Sequence, residues 1–496
     1  MTGSAEATRA PRTSWLAKLG SMQRRYVAVD GGTGAHLLAA LSGADVRLRA
    51  VASPRHADLL IVVEPISQSL APALLEYARA LPQPAQALII DTAAWHSALP
   101  YCVVASDLLP GTPQVDARSA AQIIDIVQRL APWPHLRTAT EPAFTEATIA
   151  LPNKQERELA TELAVLSLGP IQSLTGGPLR LLLICDGEQV LQAQVEAGFA
   201  RRGIAEAMVG TSWQEAARLA AAIDPLAPVA GRLVYVQALE QLQQQPASAA
   251  CRASRQAALA VERAGNHLWW LHRFLTFLAA PEPAARAWQA AASVEQLAGT
   301  VWQQPTAMWL APQQAAPSAQ SAAAAALQRL AGQVGSVRQR LTQQRFLEPR
   351  LRGVGVLSAD VLRSAGVSGP LLQAAEHGAG DAWSRLQTRL LAAADDLEAA
   401  ARVLSVAGST VAHETNQPES DWQVPAGEAD VAVTGPRGEL GLHLVSEGGS
   451  GPTKVEWRRA SAAVLPLLPA ALAGQKLVDA ETLVASLDLA MAEADG

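Results

Sequence analysis

Pro436-Arg437-Gly438-Glu439-Leu440-Gly441, then Val445-Ser446-Glu447-Gly448-Gly449, then a terminal Ser486-Leu487-Asp488: the reading of this chain turns on that succession. Its glycines punctuate short strands and turns over residues 407–455, and helix resumes toward the end. Just upstream, Trp383 to Val406 has the apolar period of a strong helix. After Asp488 come Leu489, Ala490, Met491, Ala492 and Glu493, so no thiol follows the turn.

The 496 residues are enough for two or three domains, each with its own core. With 49% hydrophobic and 17% charged residues the composition is globular, not disordered. A net charge of −6 is small for this length and gives no basic footprint, so nucleic acid is not an expected partner. Cys102, Cys185 and Cys251 are too far apart for a zinc knuckle, a cluster loop or a disulfide framework. They are expected as buried small hydrophobes in a reducing cytoplasm. The longest apolar stretches, Leu268 to Ala280 and Ser461 to Gly474, are broken by His272 and Arg273 or by Pro466 and Pro469. Both fall short of the roughly 20 residues that cross a bilayer. The N-terminal stretch has no apolar signal core. It sets Arg9, Arg12, Lys18, Arg24 and Arg25 against Glu6, with Trp15, Leu16, Leu19 and Met22 between. That pattern reads either as a basic amphipathic helix lying on a membrane or partner, or as a solvated basic start.

From Arg25 to Leu130, β-rich apolar runs alternate with helical ones. Strands are expected at Tyr26–Val29, Val46–Val51, Ala57–Val63 and Ala87–Asp91, and helices from Ala35, over Ala73–Leu81 and over Ser119–Leu130. This alternation predicts a flavodoxin-like parallel α/β sheet. Pro132, Pro134, Pro142 and Pro152 mark a linker. Leu179 to Asp186 and Gln189 to Val195 form an expected hairpin turning at Asp186-Gly187, and Thr211 to Leu278 is helical in period. Residues 281–325, rich in Ala, Gln and Pro, are expected as a weakly packed helix and loop. The resulting division is a basic segment 1–24, an α/β unit 25–130, a linker 131–166, and a mainly α-helical unit 167–496 with small β elements. The fold class is α/β plus α+β.

The tail resembles the end of the NuoD-type subunit of respiratory complex I and of the nickel–iron hydrogenase large subunit, where the hydrogenases continue as Asp-Pro-Cys-x-x-Cys. Upstream, Ser53-Pro54-Arg55-His56-Ala57-Asp58-Leu59-Leu60-Ile61-Val62 is similar to the signature of NuoB, the small-subunit partner of NuoD, and Ser69 to Leu74 resembles its next helix start. The resemblance implies a NuoB-like unit fused to a NuoD-like, hydrogenase-large-subunit-like unit. The family's cluster-ligand positions then fall on Gly31-Gly32-Thr33-Gly34, on the loop around Ala94, and on Thr112 of Pro110-Gly111-Thr112-Pro113, none of them a thiol. An iron–sulfur cluster needs about four soft thiolates, so its loss is expected. The glycine loop reads either as small residues filling that space or as a backbone cradle for phosphate.

In the NuoD-like unit the two histidine positions of the family's quinone loop are Gln172 and Gly176, and the quinone tyrosine position is Ser212. Gln172 can hydrogen-bond but cannot be a proton donor near neutral pH. Tyr235-Val236-Gln237-Ala238 matches the helix that follows the first hydrogenase Cys-x-x-Cys, which places Asp224 and Ala227 at the first thiol pair and Ala490 and Glu493 at the second. Asp224 and Glu493 are hard oxygen donors, but two carboxylates make a weak Mg²⁺ site. The retained motif residues are Arg55, Glu262, Arg263, His267, Arg437, Glu439 and Asp488. His267 reads either as a packing histidine or as one link of a polar chain toward the membrane arm.

Taken together, the resemblance implies a peripheral subunit without catalytic, cofactor or metal residues of its own, on the cytoplasmic face of the inner membrane. It would dock on antiporter-like and NuoH-like membrane partners of an ion- or solute-translocating assembly. The alternatives are an electron-transfer subunit of NADH:quinone oxidoreductase or hydrogenase type that binds quinone, and an assembly factor.

Overall fold

The structure is a computed structural model that describes residues 24–44, 48–82, 85–91, 99–117, 119–130, 163–172, 174–302, 317–407 and 424–496. The basic start up to residue 23, Ala94 and most of the expected linker lie outside the described residues.

Strands β1 (Arg24–Asp30), β2 (Leu48–Ala50), β3 (Leu59–Val63), β5 (Gln86–Asp91) and β7 (Gln114–Asp116) form one parallel sheet in the order β2-β1-β3-β5-β7. Counting these five alone, the order is 2-1-3-4-5, that of doubly wound flavodoxin-like sheets. The central strand shows why. Leu59, Leu60, Ile61, Val62 and Val63 are all fully buried, as a parallel strand covered on both faces must be. Leu60 and Val62 pack toward helix α2 (Ala71–Ala80), while Leu59, Ile61 and Val63 pack toward α1 (Ala35–Ala44) and α3 (Ala120–Arg129). Ser119 and Gln122 close a reciprocal capping box that starts α3. A two-residue pairing of β4 (Ile66–Ser67) with β6 (Cys102–Val103) lies beside the sheet.

The second part begins with an antiparallel sheet of β8 (Ala164–Leu168), β9 (Arg180–Asp186) and β10 (Gln189–Glu196), in which β9 and β10 are the expected hairpin. Helices α4 (Trp213–Ala222) and α5 (Pro228–Gln243) lead to α6 (Ala249–Phe277). At 29 residues α6 is about 44 Å long, and it is buried along most of its length. It packs against α7 (Pro281–Trp302) and α9 (Ala382–Ala407), and α8 (Pro317–Gln343) packs in turn on both of those. Residues 303–316 lie outside the described residues, but over 281–302 the expectation of a weakly packed helix is corrected. Alanines at 284, 287, 290 and 291 recur at helical spacing and let α7 pack closely, so small residues read as loop are core. A second antiparallel sheet, β11 (Gly427–Thr434), β12 (Glu439–Ser446) and β13 (Lys454–Arg458), is followed by α10 (Leu477–Leu487) and α11 (Met491–Asp495). No helix among the described residues is long and apolar enough to cross a membrane.

Candidate functional site

Ligands of open α/β sheets bind outside the carboxyl ends of the strands, where β1 delivers the glycine loop. Asp30 Oδ1 accepts the backbone N–H groups of Gly32 (2.9 Å), Thr33 (3.0 Å) and Gly34 (2.8 Å). The chain's own carboxylate therefore fills the amide cradle, which corrects the phosphate reading. The loop is also closed against its surroundings. A Cβ on Gly31 would stand 1.7 Å from the Pro65 carbonyl oxygen, and one on Gly34 would meet Val63 at 2.8 Å. Thr33 Oγ1 donates to the Glu64 carbonyl at 2.6 Å. Thr112 is buried with its hydroxyl unpartnered, and burial pushes the Cys102 thiol up to about 11, Arg202 pulling it back and Glu64 adding to the rise. No thiolate set exists here for an iron–sulfur cluster, and the loop has no room for one at Gly31. Arg55 is exposed in the short turn of helix before β3, at the amino ends of the strands and away from the glycine loop.

Three distant segments meet at this loop. A Cβ on Gly32 would lie 2.9 Å from that of Ala492, and one on Gly177 would lie 3.0 Å from Gly32 Cα. Gly176 donates to the Leu489 carbonyl (2.7 Å) and accepts from Met491 N–H (2.8 Å). The loop that the resemblance places at the quinone position is thus stitched to the tail by its backbone. Gln172 turns inward: its amide donates to Thr175 Oγ1 at 2.6 Å and accepts from Leu174 N–H. Ser212 is an exposed helix cap accepting from Glu215 N–H at 3.2 Å. Gln172 is satisfied within its own loop, whereas the Ser212 hydroxyl keeps its proton facing solvent.

The third element of the site is a buried ion cluster. Arg437 pairs with Asp224 and Glu493 (3.3 Å), donates to Asn266 Oδ1 (3.3 Å) and lies 3.8 Å from Asp488. Asp488, in left-handed conformation at the end of α10, also receives Arg389 (2.9 Å) and Arg273 (3.1 Å). Three guanidiniums thus face three carboxylates, and their formal charges cancel. Burial opposes the charge on Arg437, but Asp224, Asp488 and Glu493 outweigh it and hold the guanidinium protonated more firmly than usual. Glu493 is pushed above the usual carboxyl range by burial and by Asp224, while Ser461 Oγ (2.5 Å) and Ala460 N–H (2.9 Å) donate to it. Among the four expected nickel–iron positions, two carboxylates hold Arg437. The other two are methyls: Ala227 starts α5, and Ala490 packs with Ala35 and Leu226. This donor set does not fit a nickel–iron centre, and the carboxylates are engaged by Arg437 rather than set for Mg²⁺. No three His, Cys, Asp or Glu side chains converge on a metal position among the described residues.

His267 Nδ1 accepts from Arg389 at 3.1 Å, and burial followed by the charge of Arg389 holds its ring well below the ordinary histidine value, as the neutral Nε2–H tautomer. Arg263 forks onto Asp396 (3.1 and 3.2 Å). Glu439 lies outside the cluster, exposed beside Arg458 at 3.9 Å. The sequence reading missed Arg273 and Arg389. For Arg273 the available signal was spacing, since Glu262, Asn266 and Arg273 share one face of α6; Arg389, on α9, had no such signal.

Glu262 forms no ion pair among the described residues. Its carboxyl accepts Val229 N–H (2.6 Å) and Ala230 N–H (2.9 Å) at the start of α5. Burial pushes it up to about 8, against the pull of those two amides. A carboxyl raised in the folded state stabilises fully below its unfolded value, and that contribution is lost as pH rises toward the folded value. Between about pH 4.5 and 8 the chain should therefore lose stability on the order of a few kcal/mol, and Glu262→Gln should flatten that slope. Urea unfolding at stepped pH checks this; parallel slopes in both proteins would refute it.

Residues 394–496 match the family described as respiratory-chain NADH dehydrogenase, 49 Kd subunit. The chain is similar to a D-type subunit of the NADH-quinone oxidoreductase of Herpetosiphon aurantiacus, 26% identical over 407 residues covering 70% of this chain and 95% of the relative. It is equally similar to a D-type subunit of the same enzyme from a Roseiflexus species, 26% identical over 390 residues covering 67% and 93%. Among solved structures it resembles a chain of the membrane-bound sulfane sulfur reductase, an archaeal respiratory membrane complex. The TM-score is 0.62 at 20% identity, over 68% of this chain and 99% of that one, a likeness of fold. The chain thus contains a domain like the NuoD, or 49 kDa, subunit of complex I.

Proposed function

We propose that this chain is a peripheral subunit of a respiratory-type membrane assembly that holds and transmits conformation without carrying electrons. In this reading residues 25–130 are a NuoB-like unit, 131–166 a linker and 167–496 the NuoD-like unit, docked on antiporter-like and NuoH-like membrane subunits at the cytoplasmic face. The observation that carries it is Arg437, a permanent side-chain cation held by Asp224 and Glu493 at two of the four positions where the family's metal centre has thiols. The cluster ties together the α4–α5 turn, α6, α9, the β11–β12 turn, the end of α10 and the tail, and the electrostatic interaction of Arg273 with Asp30 extends it to the sheet. A rigid neutral cluster suits a mechanical joint, because no charge in it needs to change as the joint is loaded.

The test is purification of the intact chain from membranes with metal analysis of the same sample. Membrane subunits should copurify, with iron and nickel far below one per chain; stoichiometric iron or nickel would overturn the proposal. The names of the relatives favour a second reading, a quinone-reducing subunit. Binding of a quinone analogue to the intact complex, lost on Gln172→Ala, would favour it.

A further inference from the structure

His272 sits where three helices meet, and it is only 4% exposed. Its Nδ1 lies 2.9 Å from the Ala284 carbonyl oxygen of α7. Its Nε2 lies 3.1 Å from the Ala39 carbonyl oxygen of α1 and 3.4 Å from Ser42 Oγ. Helix α1 covers the parallel sheet, whereas α6 and α7 belong to the helical bundle, so one ring joins the two parts of the molecule.

Both carbonyls can only accept, and a neutral imidazole has a single N–H to give. The cation would serve both, but its surroundings oppose it. Helix α1 has no charged side chain; its one titratable group, His36, stacks on Trp269, whose edge meets the His272 ring. Burial holds His36 well below the ordinary histidine value as well. On α7, Glu282 is paired with Arg286 at the surface, and Glu295 lies about three turns beyond Ala284. On α6, the neighbouring Arg273 is a like charge, itself paired with Asp488. Burial, with Arg273 added, outweighs the two carbonyls and holds the His272 ring below its ordinary value. The neutral ring has a second partner in reach. Ser42 donates to the Ala39 carbonyl at 2.8 Å, and rotation of that hydroxyl supplies Nε2 with the proton it lacks.

We propose that His272 is an acid-released latch between α1 and the helical bundle: neutral, it holds Ala284 through Nδ1–H and Ser42 through Nε2, and on protonation it leaves for water. A ring released into water recovers its ordinary affinity for protons, so acid favours the open joint. The joint is fully held above the ordinary histidine value and weakens as pH falls toward the lower value of the closed ring. Such a latch works whether or not the subunit carries electrons, and so stands apart from the proposed mechanical role.

Amide exchange of the intact chain, read by peptide mass spectrometry with labelling times scaled to the intrinsic rate at each pH, tests the latch. Helix α1 has ten residues, too few to stay helical without its packing, so release shows as exchange along it. From about pH 7.5 to about pH 5.5 its protection should fall about threefold or more, while the β11–β12 hairpin changes little. His272→Asn keeps a donor toward Ala284 but takes up no proton, and should remove that step. His36→Asn should keep it. If His272→Asn does not fold, Ser42→Ala decides: without the hydroxyl the neutral ring loses its second partner, so α1 should exchange faster at the higher pH and its acid step should shrink. A step that survives in His272→Asn or is lost in His36→Asn overturns the latch. So does equal α1 protection at both pH values in the wild type, or a Ser42→Ala protein that matches the wild type throughout.

Discussion

Arg437→Met should lower the unfolding free energy by about 3–5 kcal/mol, the usual loss when one partner of a buried ion pair is removed. Few domains have more than 5–15 kcal/mol in total. Three carboxylates face this guanidinium, all with side chains 3–5% exposed. Asp488 keeps Arg389 and Arg273 when Arg437 is gone. Asp224 and Glu493 do not, and Asp224 then retains only Leu226 N–H at 3.1 Å. Their mutual repulsion already raises Glu493. The same logic predicts rescue. Arg437→Met combined with Asp224→Asn and Glu493→Gln leaves no uncompensated charge and should recover at least half the loss. Urea unfolding followed by tryptophan fluorescence measures both. A single-variant loss under about 1 kcal/mol would mean that the cluster is incidental to the fold.

The parallel sheet was legible because its signal is local. Buried strands such as Leu59–Val63 are continuous apolar runs, and helix starts such as Ser119 have caps written beside them. Helices α7 and α8 were less so, since an alanine-rich segment has little periodic contrast and its burial depends on partners far along the chain. The site divides in the same way. Asp224, Arg437 and Glu493 could be singled out by motif, but their pairing joins positions 213 and 56 residues apart. Sequence gives no measure of such distances. The role of Asp30 was missed for the opposite reason: it is wholly local, but both readings of the loop, space-filling glycines or a phosphate cradle, looked past the neighbouring carboxylate.

Gly31→Cys should be the most damaging substitution in the sheet unit, costing about 4 kcal/mol or more. Its Cβ would stand 1.7 Å from a backbone oxygen, that of Pro65, so relief requires moving chain rather than a side-chain tip. The loop cannot retreat easily, because Gly31 N–H is bonded to Val63 at 3.0 Å and Gly32 is pressed on Ala492. Thr112→Cys is the control. The Thr112 hydroxyl has no partner among the described residues, and Cys puts sulfur in its place at the loss of one γ-methyl, so that variant should cost only about 1 kcal/mol. Thermal unfolding and soluble yield of the two proteins make the comparison. If both are tolerated, the loop is pliable and restoring cluster ligands is sterically open. If only Thr112→Cys is tolerated, then under the proposed NuoB-like reading the sheet unit differs from a cluster-bearing one by more than a loss of sulfur. The backbone has then closed over the position that a thiol would need, and ligands restored elsewhere would still lack a place at Gly31.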